Sequence, residues 1–238
     1  MNDPRHAVAE AGRRLHALGM SPGASGNISV RTPHGILVTP TGRGLDELTQ
    51  DGLAALDADG AHTSGAPPTK EVPLHLALYA RDPSAQAVVH LHSTHAVAVS
   101  CLEPDDPHSC LPPLTAYFVM RVGRTPLIPY AAPGDRALAA HVRAVPFTFR
   151  AALLANHGLV VTGADVEQAV LAAIEVEETA RLHLLLHGRR ARPLGPAQIA
   201  DLATRHNVHW PTVPPAPSTG GVQPSVKETS GRHLKPQP

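Results

Sequence analysis

Apolar residues recur along this chain in two rhythms. In residues 4–18, Val8, Ala11, Leu15 and Leu18 return every three or four positions, and Gly19 stops the run. That is the period of a helix with one buried face. Residues 28–31 and 36–39 are short apolar runs joined by Thr32, Pro33, His34 and Gly35, which predicts a hairpin. Residues 53–56 predict another strand before the turn at Asp57 to Gly60, and a helix opens around Pro73 and runs to about Tyr79. Residues 86–91 are short, apolar and rich in Val, which predicts a strand.

The pattern continues with a helix over 93–101 capped by Ser93 or Thr94, a Pro-rich loop over 103–114, a strand over 125–129 and a helix over 135–145. Strands follow at 151–155 and 158–162. The longest helix spans 165–187, with Glu175, Glu177 and Glu178 on its solvated face, and a last helix covers 196–205. Strands interleaved with helices predict an α/β fold, layered around one sheet. The folded domain is expected over residues 1–210. From 211 to 238 Pro, Ser, Gly and polar residues dominate, so a disordered tail without assigned role is expected there.

Composition narrows the function classes. The 238 residues suffice for one sizeable core. Twenty basic and 20 acidic residues give a net charge of +0, which argues against electrostatic capture by nucleic acid or a membrane surface. No window approaches the roughly 18 apolar residues of a membrane span. The first ten residues are polar and lack the apolar core of a signal peptide. Two cysteines, Cys101 and Cys110, leave a disulfide open but fit a reduced compartment better. A cytoplasmic protein is expected.

The chemistry begins at His90 and His92. Residues two apart on a strand share a face, so the two imidazoles project together. A third, His157, ends another apolar run just before Gly158. Three imidazoles with an open fourth position suit a catalytic zinc ion. With 16 histidines in the chain, such a pair also arises by chance. Glu71, at the mouth of a helix, is the candidate acid or base; the plain alternative is a carboxylate stabilised by the helix dipole. Three turns could hold a phosphate: Gly26 with Asn27, Thr41 with Gly42, and Thr69 with Lys70 at a helix start. Gly and Asn also make turns everywhere. Tyr117 is one of three tyrosines, either a packed ring or a proton donor.

Taken in order, Ser25-Gly26-Asn27, Thr39 to Gly42, Glu71 ahead of His75, His90-Leu91-His92 and Asn156-His157-Gly158 resemble the class II aldolase/adducin family. The resemblance covers roughly residues 5–208. The stretches around Gly26, Lys70, His90 and Tyr117 are most similar to bacterial 3-oxo-tetronate 4-phosphate decarboxylases. Fuculose-phosphate aldolases usually carry two serines at the positions of Thr69 and Lys70, and the epimerase branch carries an acid-containing segment around position 117.

The resemblance implies a three-layer α/β/α fold on one central, mainly antiparallel sheet. It implies that His90, His92 and His157 bind Zn2+, or another divalent metal such as Mn2+ or Co2+. Glu71 would be the acid/base and would touch the metal when no substrate is present. Gly26, Asn27, Thr41, Gly42, Thr69 and Lys70 would line a phosphate pocket, and Tyr117 would reach into a neighbouring subunit of a C4-symmetric homotetramer with sites at its interfaces. The implied reaction is metal-dependent decarboxylation of a 3-oxo-tetronate 4-phosphate to dihydroxyacetone phosphate and CO2 through an enediolate. Three alternatives stay open: an aldolase of the fuculose-1-phosphate type reaching the same enediolate, a non-catalytic adducin-like scaffold, and a Schiff-base aldolase using Lys70.

Overall fold

Eight strands lie in one sheet in the order β4-β3-β2-β1-β5-β8-β7-β6. The chain threads them as α1 (Pro4–Ala17), β1 (Asn27–Thr32), β2 (Gly35–Val38), β3 (Ala54–Leu56), β4 (His62–Ser64), α2 (Val72–Arg81), β5 (Ala87–Leu91), α3 (Thr94–Ser100), α4 (Ala116–Arg121), β6 (Leu127–Ile128), α5 (Arg136–Ala144), β7 (Ala151–Leu154), β8 (Gly158–Gly163), α6 (Val166–Leu185) and α7 (Pro196–His206). This is a computed structural model, and it describes residues 3–206, 208, 210 and 211. All named strand pairs are antiparallel except β6 with β7, where α5 makes the crossover.

Alternation along the strands builds two cores. Ile28 and Val30 of β1, Val89 and Leu91 of β5, and Leu159 and Val161 of β8 pack with side chains of α1, α3, α4 and α6. Val88 of β5, Val160 of β8 and Ile36 and Val38 of β2 pack with α2 and α5 on the other face. The predicted α/β/α layering is therefore present. Aspartates cap where the sequence pattern starts a helix: Asp165 Oδ1 accepts from Gln168 N at 2.7 Å on α6, and Asp135 Oδ1 from Ala137 N at 2.8 Å on α5.

Several expectations need correction. The strand expected over 125–129 is two residues long, and the helix α4, the strand β4 and a 3-10 turn at Leu45–Glu47 had no periodic signal. Glu175, Glu177 and Glu178 do not share one solvated face. Glu178 is exposed beside Arg181, but Glu175 accepts from the Thr115 hydroxyl at 3.1 Å, and Glu177 turns inward. Glu177 accepts the backbone N–H groups of His95 and Ala96 at 3.0 and 2.9 Å, capping α3 from across the layer, while Ser93 at the cap position makes no cap bond. Both cysteines are free. The expected tail from residue 212 on lies outside the described residues; Pro211 is still buried.

Candidate metal and acid-base centre

β5 carries His90 as its penultimate residue, facing the α2 layer, and His92 follows just beyond the strand. Their Nε2 atoms lie 3.1 Å apart, as the two-residue spacing predicts. The turn between β7 and β8 delivers His157. It is tight, with Asn156 at φ 56°, and Gly158 lets it press on the end of β5: a Cβ there would lie 2.3 Å from the Leu91 carbonyl oxygen. The His157 ring centroid comes to 4.8 Å from that of His90 and 4.7 Å from that of His92.

Glu71 completes the group. It occupies the cap position of α2, but its carboxylate makes no bond to the helix N–H groups. It points to the histidines instead, with Oε2 3.2 Å from His90 Nε2 and Oε1 3.6 Å from His157 Nε2. A side-chain cap bond to α2 is therefore not what orients this carboxylate. The four donor atoms lie within 4.8 Å of one another, and among the described residues no other such group occurs.

The donor chemistry fits a divalent ion. Both ring nitrogens of His157 and Oε1 of Glu71 are buried without a hydrogen-bond partner. Leaving such groups unpaired costs about 1–3 kcal/mol each, and a bound cation would offset this at one His157 ring nitrogen and at Glu71 Oε1. His90 Nδ1 donates to the Leu159 carbonyl at 2.7 Å, which leaves its Nε2 lone pair facing the group. Burial and the neighbouring His90 lower the pKa of His92 and of His157 to about 4, so both rings are neutral near pH 7, as ligands must be. Burial alone would raise the Glu71 carboxyl. The neighbouring His90, the hydrogen bond from the Asn27 amide and the neighbouring His157 outweigh it and hold the group well below the usual carboxylate range.

The predicted phosphate loops also meet. Pro40 bridges Pro68, Thr41 N donates to the Pro67 carbonyl at 3.0 Å, and Thr69 N to the Thr39 carbonyl at 3.1 Å. Thr41 and Gly42 are thus laced to Thr69 and Lys70, which lead directly into Glu71. Thr41, Gly42 and Lys70 are exposed. Gly26 packs against the His90 carbonyl, where a Cβ would stand 3.0 Å away. Asn27 is buried, and its amide donates to Glu71 Oε2 at 2.8 Å. Tyr117 is not brought to the group. It stands on α4, in the layer across the sheet from α2, 57% exposed, with the Arg121 guanidinium 4.9 Å from its ring centre. Ser29, His75 and Tyr79 join the site from beneath and drew no functional reading from the sequence. A signal for them existed in the spacing of four from Glu71 to His75 to Tyr79 on an otherwise apolar helix.

Comparison with known proteins agrees with this geometry. The family model for the class II aldolase and adducin N-terminal domain matches residues 6–184. A 3-oxo-tetronate 4-phosphate decarboxylase from Haemophilus influenzae is 42% identical over 202 residues, covering 84% of this chain and 96% of that protein. An L-fuculose phosphate aldolase from Escherichia coli is 38% identical over 169 residues, covering 70% and 76%. The crystal structure of YgbL from Klebsiella pneumoniae superimposes with a TM-score of 0.80 at 41% identity, over 84% of this chain and 97% of that one. With the family model matched across most of the described fold, this chain belongs to the class II aldolase and adducin family.

Proposed function

We propose that the protein is a carboxy-lyase that converts a 3-oxo-tetronate 4-phosphate to dihydroxyacetone phosphate and CO2. The observation that carries the chemistry is the Glu71 carboxylate set against three converging imidazoles. The choice of leaving group rests on the 42% identical decarboxylase, which aligns over nearly its whole length. A divalent ion held by His90, His92, His157 and Glu71, zinc in our reading or else Mn2+ or Co2+, supplies Lewis-acid stabilisation of negative charge on substrate oxygen.

The chain's own residues do the rest. The substrate carboxylate is β to a ketone, so breaking the C1–C2 bond sends its electron pair into the C3 carbonyl and yields an enediolate. Glu71, after taking up a proton from solvent, would deliver it to C2, which gives dihydroxyacetone phosphate. Gly26, Asn27, Thr41, Gly42, Thr69 and Lys70 hold the phosphate through N–H groups, two hydroxyls and one cation. Asn27 already spends one amide N–H on Glu71, so it contributes less to that pocket than its neighbours. Tyr117 acts in a neighbouring subunit of a homotetramer, which accords with its exposure on the far layer. The enzyme works in the cytoplasm on a folded unit of about residues 1–210; no helix among the described residues is long and apolar enough to cross a membrane.

A second reading, an aldolase acting on a fuculose 1-phosphate type of substrate, is favoured by the 38% identical relative and shares the enediolate. Incubating the purified protein with 3-oxo-tetronate 4-phosphates and, separately, with fuculose 1-phosphate separates the two. CO2 and dihydroxyacetone phosphate from the first, with little turnover of the second, is the expected result. Aldehyde release from fuculose 1-phosphate alone would overturn the decarboxylase reading in favour of the aldolase.

A further inference from the structure

Beneath the Glu71 carboxylate, β1 and α2 interdigitate polar side chains inside an otherwise apolar layer. On β1, alternation sends Ile28 and Val30 to one core and Asn27, Ser29 and Arg31 to the α2 side. On α2, Glu71, His75 and Tyr79 recur every fourth residue on one face. Asn27, Ser29, His75 and Tyr79 are each no more than 4% exposed. They form one unbranched chain. The Asn27 amide nitrogen is 2.8 Å from Glu71 Oε2, and its oxygen 2.5 Å from His75 Nε2. His75 Nδ1 is 2.7 Å from Ser29 Oγ, which is 2.9 Å from the Tyr79 hydroxyl. Beyond it, the Arg31 guanidinium lies 4.5 Å over the Tyr79 ring centre.

The direction of every link follows from its end. An ionised carboxylate only accepts, so Asn27 turns its NH2 to Glu71 and its oxygen to His75. His75 Nε2 must therefore carry the hydrogen. A buried ring facing an amide and a hydroxyl, with no carboxylate in contact, is stable as the neutral form. Burial accordingly brings its pKa down to about 3. Nδ1 is then a bare acceptor, the Ser29 hydroxyl donates into it, and the Tyr79 hydroxyl donates to Ser29. Every donor points toward Glu71, and such alignment strengthens each bond in turn. The chain is no proton wire, because the Asn27 amide within it passes a proton on only through an imidic acid form. What it transmits is orientation. Were the Asn27 amide flipped, its oxygen would face the carboxylate oxygen at hydrogen-bond distance and repel it.

We propose that His75 is a positioning residue, whose Nε2–H locks the Asn27 amide with its NH2 toward Glu71 and thereby sets the carboxylate for proton transfer. The inference rests on the reading of Glu71 as the acid/base. Neutron diffraction from the wild-type protein should show deuterium on Nε2 and none on Nδ1 of His75, and the Asn27 amide nitrogen facing Glu71. A deuterium on Nδ1, or a flipped amide, would overturn the proposal whatever the activity. In kinetics, His75→Leu should lower kcat about tenfold or more while KM for substrate changes less than about threefold. His75→Gln, which keeps a side-chain N–H donor, should recover part of that loss. A folded His75→Leu protein with wild-type kcat would refute the role. Should His75→Leu fail to fold, the wild-type neutron map still decides. Glu71→Gln tests the underlying reading separately: full turnover in that variant removes the acid/base role, while the hydrogen positions on His75 stand or fall by themselves.

Discussion

Lys70 shows how one side chain takes its meaning from its neighbours. It is the sole lysine before residue 227, it is exposed, and it stands one position ahead of Glu71. Thr69 just before it accepts from the Glu71 N–H at 3.3 Å, which ties the loop to the start of α2. A cation there suits a phosphate, and a hydrogen bond to a charged group contributes about 1.5–3 kcal/mol. Lys70→Met should therefore raise KM for a phosphorylated substrate about 10- to 100-fold and leave turnover of a dephosphorylated analogue nearly unchanged. Steady-state kinetics on both substrates checks this, and equal losses on the two would remove Lys70 from phosphate binding. An adduct trapped at Lys70 by borohydride would instead promote the Schiff-base alternative.

Among the elements, α3 is the one whose stability is least local. It has seven residues, follows His92 within two positions, and its cap residue Ser93 makes no side-chain cap bond. The first N–H groups of a helix need partners. Glu177, in the middle of α6, supplies both carboxylate oxygens to them and also meets His95 Nδ1 at 2.8 Å. We expect Glu177→Ala to destabilise the protein by about 1–3 kcal/mol, since two part-buried donors lose an ionised acceptor, and Glu177→Gln to cost less. Urea unfolding of the three proteins measures it. An unchanged midpoint in Glu177→Ala would mean that water caps α3 equally well. The separation of 82 residues between His95 and Glu177 is why helical periodicity placed this glutamate on a solvated face.

At the scale of the whole molecule, a bound metal would couple to stability. The proposed ligands come from β5 and the residue just after it, from the β7–β8 turn and from the start of α2, so an ion bound by them would clasp the sheet to one helix layer. Binding that favours the folded state adds RT ln(1 + [L]/Kd), about 2.7 kcal/mol at a hundredfold excess over Kd. Removing metal with a chelator should therefore lower the thermal midpoint, and restoring Zn2+ should recover it. His92→Ala should bind far less metal and lose most of the response to chelator. Full metal occupancy in that variant, measured by elemental analysis, would refute the ligand assignment.

Sequence alone determined the order of the long elements, the α/β class and the pairing of His90 with His92. These follow from periodicity and side-chain alternation, which are properties of neighbouring residues. It also supplied Glu71, His157 and the phosphate loops as candidates beside ordinary explanations as a helix end, a chance histidine or a common turn, and the motif resemblance drew them together. Only the tertiary structure decided which of these candidates meet, because the distances that matter join residues far apart in the chain: Glu71 to His90 and His157, Asn27 to Glu71, Pro40 to Pro68. The inward turn of Glu177 and the chain from Tyr79 to Asn27 belong to the same class. A polar side chain inside an apolar layer must find its hydrogen-bond partner across the fold, and local pattern carries no record of what stands there.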